Sequence, residues 1–347
     1  MAILGLDIGG ANIKAADESG QTSCHPFAIW KDRDRLKDEI AIILKEFPQW
    51  KRIALTMTAE LADCFTTKYE GVCAILRAVE TAASESLAER QSTESIDDVI
   101  QIWSTEGRFV QQRFARDFIR KVAAANWHAL ATWCGKFVSR GSGVLIDIGT
   151  TTTDMIPLVD GKPTPVGLTD VGRLQSGELS YSGIWRTPLC AVAHSVPFRD
   201  GYCSLAAELF ATTLDIHLLL DHIPEQKDNF DTANGRPATK DAAHDRIARM
   251  LCSDRHEISV EESTQIARFL ADVQRQRLAG ALERVLHRLP SACHTVIVSG
   301  SGSFLARQLI ADNRHTTNST VVSIADQFSS GIAEAACAYA LAQLASK

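Results

Sequence analysis

Apolar and polar positions at the start of the chain fall into two short hydrophobic runs around a glycine turn. Ile3 to Ile8 predicts a strand, Gly9-Gly10-Ala11-Asn12 a turn, and Ile13 to Ala16 a returning strand. Leu36, Ile40, Ile43, Leu44 and Phe47 then recur at helical spacing, and the β-branched run Arg52 to Met57 predicts the next strand. This β-β-α-β order predicts an α/β layer fold. Further on, Glu70 to Ser84 is helical in pattern, Asp98 to Trp103 reads as a strand, and Phe114 to Val138 reads as one long helix.

The pattern restarts after Gly141-Ser-Gly. Val144 to Ile148 predicts a strand, Gly149 to Thr153 a turn, Asp154 to Val159 a returning strand and Asp160-Gly161 another turn. Leu4-Gly-Leu-Asp-Ile-Gly-Gly-Ala-Asn-Ile-Lys and Leu145-Ile-Asp-Ile-Gly-Thr-Thr-Thr-Thr-Asp share a strand, an Asp, an Ile, a Gly and a polar turn, so the chain is expected to build two related lobes. The remainder predicts a helix over Ser204 to His222, an exposed polar loop over Pro224 to Thr239 and a long helix over Glu261 to Leu289. A strand over Thr295 to Val298, a sharp turn at Gly300-Ser301-Gly302, a helix over Phe304 to Ala311, a strand over Thr320 to Ile324 and a closing helix over Asp326 to Ala345 complete the reading.

Length and composition narrow the classes. The 347 residues have room for about two domains. A hydrophobic share of 45% with 22% charged residues excludes collagen, coiled coil and wholesale disorder. The formal charge of −6 offers phosphate backbones and anionic lipid surfaces no bulk attraction, so no nucleic acid and no membrane partner is expected. The longest apolar stretch, Ala206 to Leu220, is cut by Glu208, Asp215 and His217, short of the roughly 20 residues a membrane helix needs. The opening Met-Ala-Ile-Leu-Gly-Leu-Asp has no basic or long apolar leader, which makes a cytoplasmic location the expectation. The nine cysteines are odd in number, spread out and without a CxxC pair, as expected of reduced core thiols.

Three turns carry the candidate chemistry. After the first strand, Gly9, Gly10 and Asn12 can bring backbone N–H groups close to an anion; Lys14 can neutralise phosphate, and Asp7 at the strand end can hold a hydrated Mg²⁺. Asp147, Gly149, Thr150, Thr151, Thr152 and Asp154 supply hydroxyls, backbone donors and carboxylates for a second phosphate edge or a metal. Gly300, Ser301 and Gly302 place a turn at a helix N-terminus, which favours an anion or polar ring. Taken singly, each reads more readily as a structural turn, and the threonine run as β-propensity; it is the three together that point to a site.

Other residues have plainer readings beside the functional one. Glu60 and Asp63 follow a strand end, where site residues gather, but Asp63 in particular is expected to cap the next helix. Arg186 either pairs with a substrate carboxylate or bridges two loops. His217 and His222, five apart, are not expected to meet as an i, i+4 metal pair. Trp127 and Trp133 either stack on a ring or belong to the core.

The order and separation of the three turns resemble the actin, Hsp70 and sugar kinase superfamily, over nearly the whole chain. That resemblance implies two ribonuclease H-like α/β lobes around a central cleft, residues 1–138 with 326–347 forming the first and 139–325 the second. GLDIGGANIKAA (5–16), LTMTAELADCF (55–65), NWHALA (126–131), IDIGTTTTD (146–154) and YSGIWRTPLCAV (181–192) resemble one branch, the hydantoinase/oxoprolinase-like proteins linked to tetrahydromethanopterin C1 transfer.

The branch implies an ether-forming transferase of methanofuran or methylofuran assembly. It would couple an aminomethylfuran diphosphate to the phenol oxygen of a γ-glutamyltyramine or tyrosine-type acceptor and release diphosphate. Its diphosphate would lie against Gly9, Gly10, Asn12, Lys14, Gly149, Thr150, Thr151 and Thr152, with Mg²⁺ at Asp7 and Asp147. Asp7, Lys14, Asp154 and Glu60 are the candidate catalytic residues, with Asp154 or Glu60 as the base for the phenol; Arg186, Gly300, Ser301 and Gly302 are the candidate substrate contacts. Small molecules are the expected partners, and a homodimer is admitted as an assembly. Alternatives on the same fold are an ATP-dependent kinase or hydantoinase-type ATPase, with ATP as cofactor, and a nucleotide-responsive regulator. A hinge is expected near Gly141 and Gly331.

Overall fold

The structure is a computed structural model and describes residues 2–347. Its first sheet contains β1 (Ala2–Ile8), β2 (Asn12–Asp17), β3 (Thr22–Pro26), β4 (Trp50–Met57), β5 (Ile100–Trp103) and β6 (Phe109–Gln111), in the order β3-β2-β1-β4-β5-β6. β1 runs antiparallel to β2 and parallel to β4. Helices α1 (Leu36–Glu46) and α2 (Lys68–Glu89) bury their apolar faces against it.

The second sheet contains β7 (Ser142–Ile148), β8 (Thr153–Val159), β9 (Lys162–Pro163), β10 (Leu179–Ser180), β13 (Cys293–Ser299) and β14 (Thr320–Ser323). Its main order is β10-β8-β7-β13-β14, with β9 paired to β8. β7 is antiparallel to β8 and parallel to β13. Both sheets therefore pair their first strand with an antiparallel hairpin partner on one side and a parallel strand on the other, the mixed ribonuclease H-like arrangement. Between β8 and β9, Asp160 and Gly161 both have positive φ, +48° and +81°, as a tight hairpin turn matched to sheet twist requires.

Two helices lie between the sheets. α3 (Asn126–Cys134) and the closing helix α9 (Ala336–Ala345) present one face to Ile3, Ala54 and Trp103 of the first sheet, and another to Leu145, Ile156 and Ile297 of the second. Gly5 permits the crossing, because a Cβ there would lie 1.9 Å from the Ala338 carbonyl oxygen. Between β10 and β13 the chain adds the hairpin β11 (Ser195–Phe198) and β12 (Gly201–Ser204), then α5 (Thr213–Leu219) and α6 (Lys240–Met250), which share an apolar cluster with the long helix α7 (Val260–Leu286). α4 (Asp170–Ser176) precedes β10, and α8 (Ser303–Asp312) follows the Gly300-Ser301-Gly302 turn.

Three predicted long helices are shorter. The segment Phe114 to Val138 is interrupted where Ala123 bridges Met57 and Ala124 takes a left-handed φ of +47°, so only α3 lies between the sheets. Helix formation in the segment Ser204 to His222 begins at Thr212, whose side chain and Asp215 form a capping box, while Gly201–Ser204 is a strand. The segment Asp326 to Ala345 breaks at extended Phe328 and restarts behind the Ser329 cap before α9 begins. β3 and β6 were not among the predicted strands; TSCHP is largely polar and FVQ is three residues long, so neither carries a readable apolar alternation.

Candidate active site

The two glycine turns close in the same way. Gly9 N–H donates to the Asn12 carbonyl at 3.0 Å, and Gly149 N–H to the Thr152 carbonyl at 2.9 Å. Ile8 O, at the end of β1, accepts from Thr58 N–H at 2.9 Å; Ile148 O, at the end of β7, accepts from Gly302 N–H at 2.9 Å. The repeat thus extends from sequence to hydrogen bonding. Gly300 has φ +84°, and a Cβ there would meet Ile148 O at 2.3 Å and Asp147 Oδ1 at 2.6 Å, so the third turn requires glycine.

Register places the charges. Asp7 stands opposite Lys14 across the first hairpin, and Asp147 opposite both Asp154 and Ser299 in the second sheet. Burial pushes the Asp7 carboxyl up to about 6, with Lys14, Asn126 and Cys337 countering in part. Asp147 is likewise pushed up to about 6 by burial and Asp154, with Asp7 adding a smaller repulsion. Asp7 Oδ1 is buried without a hydrogen-bond partner among the described residues. Lys14 Nζ donates to the Glu334 carbonyl at 2.7 Å, which sets its head beside the start of α9.

A second chain of charges links the halves. Glu60, 1% exposed, lies with Oε1 3.9 Å from Lys68 Nζ, while its Oε2 has no partner among the described residues. Burial pushes its carboxyl up to about 7. Lys68 also bridges to Asp170 at 3.2 Å, and Arg173 joins Asp170 at 2.9 Å to Asp154. The Arg173 guanidinium lies 4.3 Å above the Trp127 ring.

Other sequence candidates fall elsewhere. Arg186 pairs with Asp231 at 2.5 Å, bridging two loops. Thr67, not Asp63, caps α2, because the chain makes a turn after Asp63 and Thr67 Oγ1 accepts from Glu70 N–H. Trp127 and Trp133 are core residues at 2% and 3% exposure.

His217 and His222 do meet, contrary to their five-residue spacing. Asp221 turns left-handed after α5, His222 N–H returns to the His217 carbonyl, and the two Nδ1 atoms stand 3.1 Å apart. His217 Nε2 then meets Gln274 Oε1 at 3.1 Å, and Gln274 Nε2 donates to Ser182 Oγ and the Gly183 carbonyl. Gly183 passes so close to the second turn that a Cβ would lie 2.5 Å from Thr150 and Thr151 backbone atoms. Lys68, Asp170, Arg173 and Gln274 escaped the sequence reading, since each acts through partners distant in sequence. All nine cysteines are free thiols, and no helix among the described residues is long and apolar enough to cross a membrane.

The family described as hydantoinase/oxoprolinase matches residues 52–347. A protein of Methanocaldococcus jannaschii named (4-{4-[2-(gamma-L-glutamylamino)ethyl]phenoxymethyl}furan-2-yl)methanamine synthase is 31% identical, over 99% of this chain and 98% of that protein. A protein of the same name from Methanococcus vannielii is 32% identical over 58% of this chain and 89% of its own length. Among solved structures, an archaeal actin homologue in complex with ADP aligns over 100% of this chain and 99% of its own, at 14% identity and a TM-score of 0.43.

Proposed function

The chain belongs to the hydantoinase/oxoprolinase family, and from that membership we propose that it is the synthase that closes the phenoxymethyl ether of a methanofuran-type cofactor, in support of tetrahydromethanopterin-linked C1 metabolism. Identity of 31% across 99% of the chain to a synthase whose product name contains that ether carries the reading. The acceptor is a γ-glutamyltyramine or tyrosine-type phenol, and the donor an aminomethylfuran diphosphate. The furfuryl CH₂–O bond to diphosphate breaks as the CH₂–O bond to the phenol forms; diphosphate leaves with the bonding pair and the phenol proton passes to a base.

The two turns suit the leaving group. Gly9 and Gly149 spend their N–H groups closing the turns, which leaves backbone N–H groups and hydroxyls around Gly10, Asn12, Thr150, Thr151 and Thr152 to meet an anion, and Lys14 adds positive charge beside them. An orphan buried oxygen on Asp7, and an Asp147 that shares its raised carboxyl, form a donor set of hard oxygens short of positive charge. These residues fit Mg²⁺, which when bound would neutralise diphosphate charge. Glu60 is the base in this reading: a carboxyl near 7 with a free oxygen can accept a proton at neutral pH, whereas Asp154 is engaged by Arg173. Ser301, exposed on the glycine turn, is assigned to substrate, while an acceptor carboxylate reaches Arg186 only by displacing Asp231.

Purified protein incubated with the furfuryl diphosphate, γ-glutamyltyramine or γ-glutamyltyrosine, and Mg²⁺ is expected to release diphosphate and form the ether, read by mass spectrometry. In Lys14→Ala the KM for the diphosphate donor should rise roughly 10- to 100-fold through loss of a charge-assisted contact. No ether product, together with ATP hydrolysis, would replace this reading with an ATP-dependent one.

A further inference from the structure

Glu283, His287 and His315 form a second cluster of ligating side chains, at the opposite end of the second sheet from the glycine turns. His315 lies in the loop between α8 and β14, beside the start of β13, where Ser319 Oγ donates to the Cys293 carbonyl. Asp147 and Ser299 lie at the other end of that seven-residue strand, about 20 Å away at 3.3 Å per residue.

The donor atoms already have nearly the spacing of a metal site. Glu283 Oε1 is 3.0 Å from His287 Nε2 and 3.2 Å from His315 Nε2, and all three ligand atoms lie within 4.8 Å of one another. Ligands about 2.05 Å from a tetrahedral Zn²⁺ stand about 3.3 Å apart. Glu283 and His287 share a helix face at i, i+4, where α7 ends, and the negative end of the helix dipole favours a cation.

The surroundings hold the donors in place. Asn313, 8% exposed, donates Nδ2 to Glu283 Oε2 at 2.9 Å and accepts from the His315 backbone N–H at 2.9 Å. One buried amide thereby aims the carboxylate and fixes the loop that bears the histidine, as second-sphere groups do in metal sites. The positive charge now beside the cluster comes from Arg314, whose Nε meets His315 Nε2 at 3.2 Å and whose Nη2 lies 3.6 Å from Glu283 Oε1. Its side chain is 78% exposed and free to swing into solvent.

We propose that Glu283, His287 and His315 bind a borderline divalent transition ion of the Zn²⁺ class, with water in the fourth position, and that Arg314 holds the place of the ion in its absence. The ion staples the end of α7 to the loop that feeds β14. Ligation by two imidazoles and a carboxylate selects Zn²⁺ over the hard Mg²⁺ proposed for the cleft, so the two sites are chemically separable.

Metal-stripped full-length protein is titrated calorimetrically with Zn²⁺ in excess Mg²⁺, alongside His287→Ala, His315→Ala, Glu283→Gln, Arg314→Ala and, as a control, the exposed His294→Ala. One high-affinity equivalent is expected; each ligand variant should weaken it at least tenfold, Arg314→Ala should tighten it, and His294→Ala should leave it unchanged. Zn²⁺ should raise the melting temperature of the parent and not of His287→Ala. Absence of binding at micromolar Zn²⁺, or binding untouched by the three ligand substitutions, overturns the assignment. Circular dichroism identifies any variant that fails to fold, and Glu283→Gln, which preserves volume, then decides.

Discussion

At the residue scale, the site is governed by carboxylates held in unfavourable surroundings. Asp7 binds its proton more tightly folded than unfolded, its carboxyl being raised from 3.8 to about 6. Folded-state stability from this group therefore falls as pH rises from about 4 to 6, and the full penalty applies above that. Asp7→Asn should abolish ether formation while raising stability by about 2–3 kcal/mol at pH 8 and little at pH 4; urea titrations at both pH values check it, and equal effects would refute it. For Glu60, the ascending limb of kcat/KM should have its midpoint near 7 and disappear in Glu60→Gln, with activity down roughly 10²- to 10⁴-fold. Asp7 and Lys14 were legible in the sequence because a tight hairpin makes them cross-strand neighbours. Arg173 was not, because Asp154 is nineteen residues away on another element.

Elements were legible where periodicity and turn chemistry agreed. The two hairpins, β4, α2, α7 and α8 were all readable, each bounded by glycine, a cap or a clear apolar period. Helix does not run through the Ala-rich segments around Ala124 and Ala335: alanine favours helix everywhere, and only contacts such as the Met57–Ala123 bridge decide where it breaks. Glycines record where elements touch. Gly183→Ala would drive a Cβ into the Thr150 turn, so it should raise the KM for the diphosphate donor at least tenfold and lower stability by about 1–3 kcal/mol; unchanged kinetics would show that the turn tolerates displacement.

For the whole molecule, two sheets that each pair their first strand with an antiparallel hairpin partner and a parallel neighbour sandwich α3 and α9, and the charge chain Glu60, Lys68, Asp170, Arg173, Asp154 runs from one half to the other. Arg173 is buried at 4% side-chain exposure between two carboxylates, so Arg173→Met should destabilise by about 3–5 kcal/mol by leaving buried charge uncompensated. Adding Asp154→Asn should restore part of that loss; failure of the double variant to recover in urea denaturation would assign the effect to packing over Trp127. The strand-turn-strand repeat, the three turns and the charged positions at strand ends are encoded locally, because hairpin register and glycine geometry depend on neighbouring residues. Long-range packing sets which helices lie between the sheets, engages Asp154 with Arg173, folds His222 back onto His217 and brings Glu283, His287 and His315 together. Each of those depends on which distant surfaces are buried together, and burial sets both where a helix ends and what a side chain's charge costs.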